Sequence, residues 1–365
     1  MRVLFYLGDK PWSGTARATL AAARGLAARG HQVTVACCEG ARLEQLSRDA
    51  GVETVTIDSS LSTAGGAWDL RKVFQDRFIE VAVVSNERDH LVVGSAMRFA
   101  ERGGVLRRVP AFANLAVQRA GKLALKLASA GLVVSTPREL TEVGGVGWPI
   151  PATVAPIGVN VDSYDSVEAA TRLDLSAPPE GLLIACSYDP SGRYRMATVF
   201  RTLALMAQRN ANMRVLVFGE GSADDDLRMH AAALGVGSLI GFLGPRDDEL
   251  TIMRAAHAGW IVSSGDSGAF ACLDFMALRV PVIAARTTLT QHFVAHAITG
   301  LLLAAGDSSL TASAVAAFFS DDAKRVAMGN AGRTRVQREF TETAMVDGFE
   351  TAVNEAGDRT KWVKV

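Results

Sequence analysis

The sequence has few of the features that mark a secreted, fibrous or membrane-spanning protein. Only 4 of its 365 residues are cysteine, and none has CxxC or Cys/His ligand spacing. We therefore expect buried thiols in a reducing compartment, without a disulfide scaffold. No apolar run approaches the ~18 residues that span a bilayer, and the short apolar run Arg2–Leu7 has no signal-peptide cleavage site after it. These absences predict a cytoplasmic protein.

The chain also has no net charge and few aromatic residues. Lys and Arg number 38, as do Asp and Glu, so there is no overall field to attract nucleic acid, and we expect no nucleic-acid partner. Aromatic residues make up 7%, charged residues 21% and hydrophobic residues 49%, which is close to ordinary globular usage and excludes disorder and a coiled coil. At ~150 residues per domain, the length predicts two domains.

What the sequence does contain is a repeated alternation of short apolar runs and longer helical patterns. Thr15–Arg29 has Leu and Ala at helical spacing, ends at Gly30, and is followed by the strand-like alternation of His31–Cys37. Strands that alternate with helices predict βαβ units and a parallel sheet covered by helices on both faces. The other predicted strands are Arg2–Leu7, Val52–Ile57, Val81–Ser85, Leu132–Ser135, Leu182–Ser187, Arg214–Phe218, Leu239–Leu243, Gly259–Ser263 and Val280–Ala284.

The pattern loosens around Asp162–Gly181, which includes Pro178 and Pro179, and a second βα series then begins. We therefore expect two Rossmann-like, doubly wound domains that face each other across a cleft, with ligands at the carboxyl ends of the strands. Residues from about 308 to 356 have the pattern of consecutive helices.

Two glycine-containing turns are candidate anion sites. Gly8–Gly14 leads into the first helix, and Gly219–Ser222 joins a strand to a helix in the second half. Glycines allow a tight turn, and the amide groups at a helix start can hold an anion. Neither turn is a GxGxxG dinucleotide fingerprint or a GxxxxGK phosphate loop. Each turn is therefore equally well explained as an ordinary β–α connection.

Two further groups resemble metal sites but have simpler explanations. Asp224–Asp226 is an acidic run at a predicted helix start, where carboxylates complement the helix dipole. His292 and His296 are four residues apart on a predicted helix, but no following Glu or third ligand accompanies them. We expect no metal at either place.

The most informative stretch is Trp260–Ala284. A strand ends at Ser263–Ser264, a loop carries Asp266, and small residues open a helix that bears Asp274. Small residues at a helix start let the phosphates of a ligand approach the amide groups that have no partner within the helix.

This stretch resembles the donor-site signature of retaining glycosyltransferases of the two-Rossmann (GT-B) fold, particularly family 4. The family pattern is Ser, then Glu, seven residues, Glu, and Ala-Met-Ala-x-Gly-x-Pro-Val. Here Asp266 and Asp274 stand in place of the two glutamates, and Phe275–Val282 aligns with the end of the pattern. Other family landmarks follow in the right order along nearly the whole chain: Arg29–Val35, Ala155–Tyr164, Gly219–Ser222, Gly241–Gly244 and Thr299–Leu302.

The resemblance implies metal-independent transfer of a sugar, with retention at the anomeric carbon, from a nucleotide-diphosphate sugar such as a UDP- or GDP-sugar. The acceptor would be a hydroxyl of a glycan, a lipid-linked molecule or a small molecule, and no other cofactor is expected. The resemblance also implies that Asp266 contacts sugar hydroxyls and that Asp274 holds the ribose. Backbone donors to the diphosphate and sugar would come from Ser267, Gly268, Ala269 and Phe270.

The remaining site residues follow from the same resemblance. Arg193 and Arg195 would neutralise the diphosphate leaving group, where charge builds as the glycosidic bond breaks, although they are also consistent with a solvated helix face. Gly219 belongs to the glycine-rich donor turn, and Gly14 would approach from the other domain. His90 is the nearest match to a catalytic-region histidine; its simpler interpretation is a surface residue.

We predict an N-terminal acceptor-binding domain over residues 1–165 and a C-terminal donor-binding domain over 166–340. The segment 341–365 is expected to return to the N-terminal domain. The loops Ser59–Gly66 and Asn86–His90 are expected to recognise the acceptor.

One segment bears on membrane contact. Arg107–Lys126 carries five basic residues among Ala and Leu, which predicts a helix whose apolar face packs on the first sheet. The alternative is a basic amphipathic helix that lies on the inner face of an anionic membrane.

Several positions depart from the family pattern. Aspartate replaces both signature glutamates, Arg279 replaces a usual glycine, His292 stands where a Glu is common, Ile157 replaces an Asn, and Ser187–Tyr188 lies where an Arg is expected. These departures leave open a catalytically degenerate binding or partner subunit, and a nucleotide-sugar epimerase of the same fold.

Overall fold

The computed structural model describes residues 1–58, 63–113, 125, 127–145, 150–178, 180–208, 212–304 and 306–361. The chain divides into two compact units. The first contains Met1–Ile157 together with Glu342–Val365, and the second contains Gly158–Thr341.

The first unit is built on a seven-stranded sheet. Its strands are β1 (Arg2–Leu7), β2 (Gln32–Cys38), β3 (Glu53–Ile57), β4 (Val81–Val84), β5 (Gly104–Arg108), β6 (Ser129–Val134) and β7 (Ala152–Val154). They lie in the order β3-β2-β1-β4-β5-β6-β7, and all of the pairs are parallel. β1 and β4 are buried almost throughout, as expected for parallel strands covered on both faces.

The helices of the first unit are α1 (Gly14–Ala28), α2 (Arg42–Asp49), α3 (Thr63–Asp76), α4 (Glu87–Ala100), α5 (Pro137–Gly145) and the C-terminal α13 (Glu342–Lys361). α13 packs against α1 and against β5, β6 and β7, so the end of the chain completes the first unit.

The second unit contains a six-stranded parallel sheet in the order β10-β9-β8-β11-β12-β13. Its strands are β8 (Leu182–Ser187), β9 (Met213–Phe218), β10 (Ile240–Gly244), β11 (Ala258–Ile261), β12 (Val282–Ala285) and β13 (Gly300–Leu303). Its helices are α6 (Arg193–Ala207), α7 (Asp225–Ala233), α8 (Glu249–Ala255), α9 (Gly265–Ala277), α10 (Thr288–Phe293), α11 (Ser308–Phe319) and α12 (Asp322–Glu339).

The predicted fold class is confirmed, because both units have a doubly wound parallel sheet. The predicted succession of helices near the C-terminus is also confirmed, as α11, α12 and α13. Among the described residues, no helix combines the length and hydropathy needed to cross a membrane.

The prediction of a helix that begins at Arg107 is wrong at the first two residues. Arg107 and Arg108 lie in β5, which pairs with β4 on one side and β6 on the other. The basic residues read as a helical face, but Arg108 is buried in a central strand. Arg119, Lys122 and Lys126 lie outside the described residues. So do Ser59–Ser62 of the predicted acceptor loop, whereas Gly66 lies in α3.

The helix predicted to carry both His292 and His296 is also shorter than expected. α10 ends at Phe293, and the Nδ1 atom of His296 accepts a hydrogen bond from the Leu302 amide at 3.1 Å. Within the described part of the chain, no three His, Cys, Asp or Glu side chains are grouped so as to hold a metal ion.

Candidate functional site

The start of α9 follows directly after β11, one of the central strands of the second sheet. Ser264 is the N-cap of this helix, and its side chain makes no capping hydrogen bond. A Cβ atom on Gly268 would lie 2.5 Å from the carbonyl oxygen of Ser263, so only glycine allows this close approach between helix and strand end. The first turn of α9 is thus held against the carboxyl edge of the sheet, where its amide groups give the helix a positive end.

The residues predicted to contact the diphosphate and the sugar lie together in the first turns of α9. Asp266 is in the first turn and is only 3% exposed. Ser267 is half-buried, and Gly268, Ala269 and Phe270 are buried. One helix start therefore combines a carboxylate with backbone amide groups, which is suited to a ligand that has both hydroxyl groups and phosphates.

Asp274 lies on the same helix, ~12 Å farther along its axis at 1.5 Å per residue. Its Oδ1 atom accepts a hydrogen bond from the Tyr164 hydroxyl at 2.5 Å, and both side chains are buried. Tyr164 belongs to a short 3₁₀ turn, Val161–Tyr164. The predicted ribose-binding carboxylate is thus oriented by a phenol that the sequence analysis did not single out.

We expect Tyr164→Phe to lower the free energy of unfolding by about 2 kcal/mol, because it removes a buried hydrogen bond to a carboxylate. Urea unfolding measures this loss. Tyr194→Phe is the matched control, since the Tyr194 residue is 90% exposed and its replacement should leave the unfolding midpoint unchanged. Equal midpoints for Tyr164→Phe and the wild-type protein would show that the Tyr164–Asp274 hydrogen bond contributes nothing.

The glycine-rich turn Gly219–Ser222 follows β9 at the same edge of the second sheet. Gly219 has a φ of +106°, and a Cβ atom there would lie 2.2 Å from the carbonyl oxygen of Tyr188. Its amide donates to the Gly244 carbonyl at 3.0 Å. Gly219 thus joins the ends of β8, β9 and β10, and a side chain has no room there.

The two arginines predicted to neutralise a diphosphate have protein partners. Arg193 begins α6, and its half-exposed guanidinium forms an ion pair with Asp226. Arg195 is half-buried: its Nε donates to the Val262 carbonyl and its Nη2 to the Ser191 carbonyl at 3.1 Å. Burial lowers the pKa of Arg195.

The acidic run Asp224–Asp226 lies at the start of α7, as predicted. Asp224 is the N-cap, and its Oδ1 accepts from the Asp226 amide at 2.9 Å. Its carboxylates cap the helix and pair with Arg193, which is the helix-dipole interpretation.

His90 lies in the first turns of α4 in the first unit, and its side chain is fully buried. The surface interpretation of His90 is therefore wrong. Its Nε2 is 3.0 Å from the Leu127 carbonyl oxygen, and its Nδ1 has no hydrogen-bond partner within the described residues. Burial lowers its pKa to about 4, so the imidazole is neutral near pH 7.

Asp89 precedes His90 in the sequence, and its side chain contacts the loop after β1. Its Oδ2 accepts hydrogen bonds from the Gly8 amide at 3.1 Å and from Asn86 Nδ2 at 2.9 Å. Burial raises the pKa of Asp89 to about 6. Asp89 could have been identified from the sequence, because Asn86 is a typical N-cap residue and is followed by two acidic residues in the first helical turn.

Gly14, the predicted first-unit contributor, is the first residue of α1 and is buried. The N-cap Ser13 accepts a hydrogen bond from the Ala16 amide at 3.2 Å. The N-cap side chain of α1 therefore accepts a hydrogen bond from an amide of its own helix, whereas the N-cap side chain of α9 accepts none.

Solved structures share the fold of this chain. HepE from Anabaena, solved in complex with UDP-glucose, matches 97% of this chain and 99% of its own with a TM-score of 0.81, at 14% sequence identity. At that identity the similarity shows the fold alone.

Sequence comparison finds a family match within the second unit. Residues 192–335 match the family "Glycosyl transferases group 1". The lipopolysaccharide core biosynthesis glycosyltransferase LpsE of Rhizobium meliloti is 24% identical over 218 residues, 60% of this chain and 62% of LpsE. A phosphatidyl-myo-inositol mannosyltransferase of Mycobacterium tuberculosis is 30% identical over 212 residues, 55% of this chain and 54% of that enzyme. The match covers less than two thirds of the length of each relative. The resemblance to group 1 GT-B glycosyltransferases is confirmed.

Proposed function

We propose that the protein transfers a sugar from a nucleotide-diphosphate sugar to an acceptor hydroxyl, with retention at the anomeric carbon and without a metal. The observation that carries this proposal is the group 1 match over residues 192–335. That range contains the Gly219 turn, both candidate arginines and the whole of α9. The complex of HepE with UDP-glucose makes a UDP-sugar the first donor to test.

In this proposal the second unit binds the donor. The positive end of α9 holds the diphosphate, Asp266 binds sugar hydroxyls, and Asp274 binds the ribose. As the glycosidic bond breaks, negative charge builds on the departing diphosphate, and fixed donors lower the barrier most where that charge develops. Arg193 contributes by exchanging its ion pair with Asp226 for one with the diphosphate. This exchange costs little free energy because the Arg193–Asp226 pair is exposed. The departing phosphate assists attack of the acceptor on the same face.

The first unit is proposed to bind the acceptor through the turn Asn86–His90. Direct contact of His90 with a substrate requires its imidazole, which is fully buried, to become accessible. The names of the two relatives, a lipopolysaccharide core enzyme and a phosphatidylinositol mannosyltransferase, support a glycan or lipid-linked acceptor. We also propose a cytoplasmic location, with contact to the inner face of the membrane if the acceptor is lipid-linked.

A thermal-shift screen against UDP, GDP, ADP, CMP and TDP, with and without Mg²⁺, tests the donor site. A ligand at 100 times its dissociation constant should stabilise the protein by ~2.7 kcal/mol, and we expect the same shift without Mg²⁺. Absence of a shift with every nucleotide would contradict the donor site, and a shift only with Mg²⁺ would contradict metal independence.

Donor hydrolysis and transfer by Asp266→Asn test the role of the carboxylate. We expect a loss of roughly 10²-fold in kcat, as for other groups that stabilise a transition state, with the nucleotide-induced thermal shift retained. Asp225→Asn is the control, because Asp225 is also in the first turn of a helix but is exposed. Equal turnover by Asp266→Asn and the wild-type protein would contradict the assigned role.

A catalytically degenerate binding subunit is the second candidate. The observation that favours it is that Arg193 and Arg195 both bind protein groups, so neither is poised for a phosphate without rearrangement. This candidate predicts nucleotide binding without donor hydrolysis or transfer. An epimerase of the same fold would instead convert the nucleotide sugar when no acceptor is present.

A further inference from the structure

The ends of two neighbouring strands in the second sheet are tied together by side chains. β8 and β11 are paired, with Ser187 opposite Ile261. The turn after β8 leads into α6, and the turn after β11 leads into α9. We call the side chains that connect these two turns, Asp189, Ser191, Arg195 and Ser263, the turn clamp.

The first half of the turn clamp is centred on Ser263. Its hydroxyl donates to the Ser187 carbonyl at 3.2 Å and accepts from the Asp189 amide at 3.1 Å. Ser263 therefore holds the backbone on both sides of Tyr188, the residue that follows β8.

The second half of the turn clamp runs in the opposite direction, from the turn after β8 to the start of α9. The Ser191 hydroxyl donates to Oδ1 of Asp189 and accepts from the Ser264 amide at 2.9 Å. The same Asp189 oxygen accepts from the Ser191 amide at 3.0 Å. Asp189 therefore holds both the backbone amide and the hydroxyl of Ser191 in position. Ser191 in turn holds the backbone amide of Ser264 in position.

Arg195 reinforces the same connection. Its guanidinium donates to the carbonyl of Val262, just after β11, and to the carbonyl of Ser191. The two turns are thus bridged by the hydroxyls of Ser263 and Ser191 and by the guanidinium of Arg195. Each of these bonds to a backbone group of the other turn.

Ser264 is the N-cap of α9, and its own side chain makes no capping hydrogen bond. The helix start is therefore located from outside, by Ser191. A ligand held by helix amide groups is bound well only when those groups are already in place, because preorganised donors avoid the cost of ordering on binding.

From these contacts we propose that Asp189 and Ser191 are positioning residues, which hold the start of α9 in place for the diphosphate of the donor. This inference rests on the proposed function, because it takes the donor diphosphate as the ligand of α9. An aspartate that only capped its own turn would bond to the Ser191 amide alone, whereas here the Ser191 hydroxyl continues the connection to Ser264.

Isothermal titration with UDP and uridine tests the proposal, because the two ligands differ only in the diphosphate. We expect Ser191→Ala to weaken UDP binding about tenfold while uridine binding changes less than twofold. Ser191→Thr keeps a hydroxyl and should restore UDP binding, and Asp189→Asn, whose amide oxygen still accepts, should give a smaller loss. Ser320→Ala is the control, since the Ser320 hydroxyl donates to the Ala317 carbonyl at 2.8 Å, at the end of its own helix and away from the turn clamp.

An equal loss of UDP and uridine binding in Ser191→Ala, or no loss of UDP binding, would overturn the positioning role and leave the proposed function intact. Urea unfolding of each variant separates a general loss of stability from a selective loss of diphosphate binding. If the wild-type protein binds none of UDP, GDP, ADP, CMP and TDP, the proposed function fails first, and the ligand assigned to the turn clamp fails with it.

Discussion

Gly219→Ala is expected to lower the free energy of unfolding of the second unit by about 3–5 kcal/mol. The added Cβ atom would lie 2.2 Å from the Tyr188 carbonyl oxygen, a backbone atom that cannot rotate away. The φ of +106° adds strain of its own, because L-residues with a Cβ atom avoid this region. Relief requires the strand ends of β8 and β9 to move apart, so the variant should also lose nucleotide binding.

Gly235→Ala separates the two causes. Gly235 also has a positive φ, +71°, but a Cβ atom there would meet nothing within 4 Å. This control should show only the backbone strain of a left-handed residue, about 1–2 kcal/mol. Thermal or urea unfolding of both variants checks the prediction, and equal losses would show that the contact with Tyr188 is relieved without cost.

Asp89→Asn and His90→Gln are expected to change the pH dependence of stability in opposite directions. Burial raises the pKa of Asp89 from 3.8 to about 6, so the folded state binds this proton more tightly than the unfolded chain. Asp89 thus contributes stability at low pH that is lost as the pH rises through about 6. Burial lowers the pKa of His90 from 6.5 to about 4, so its contribution is present above pH 6.5 and is lost as the pH falls towards 4.

Between pH 4.5 and 6.5 each group should change the free energy of unfolding by roughly 2 kcal/mol, and in the wild-type protein the two changes nearly cancel. Asp89→Asn leaves the His90 contribution, so stability should rise with pH relative to the wild-type protein. His90→Gln leaves the Asp89 contribution, so the free energy of unfolding should fall with rising pH relative to the wild-type protein. Urea titrations at pH 4.5, 5.5 and 6.5 measure both slopes; variants that run parallel to the wild-type protein would show that neither pKa is shifted.

The sequence predicted most of the fold because parallel strands buried on both faces appear as short apolar runs. Leu182–Ser187 matches β8 residue for residue, and Arg214–Phe218 differs from β9 by one residue. Three strands were not predicted: β5, whose arginines resemble a helical face, β7, which has only three residues, and β13, which has four. Nothing in a local pattern shows that an arginine will be buried between two other strands.

The site was predictable where its residues are close in sequence. Asp266 and the four residues after it do share one helix start. Tyr164 and Asp274 are 110 residues apart, and Ser191 and Ser264 are 73 apart, so their contacts depend on the packing of distant elements. The same is true of Arg195, whose guanidinium was expected to hold a phosphate and instead binds carbonyls of its own unit.

The return of the chain to the first unit has a consequence for the order in which the protein is completed during synthesis. The second unit ends at Thr341, so all of its residues leave the ribosome while the first unit still lacks α13. The missing helix supplies Phe349, whose ring lies 6.1 Å from that of Phe5, and Glu350, which pairs with Arg29 at 2.6 Å. Met1–Ile157 must therefore wait for α13, which is made after the whole of the second unit, before the core around Phe5 is closed.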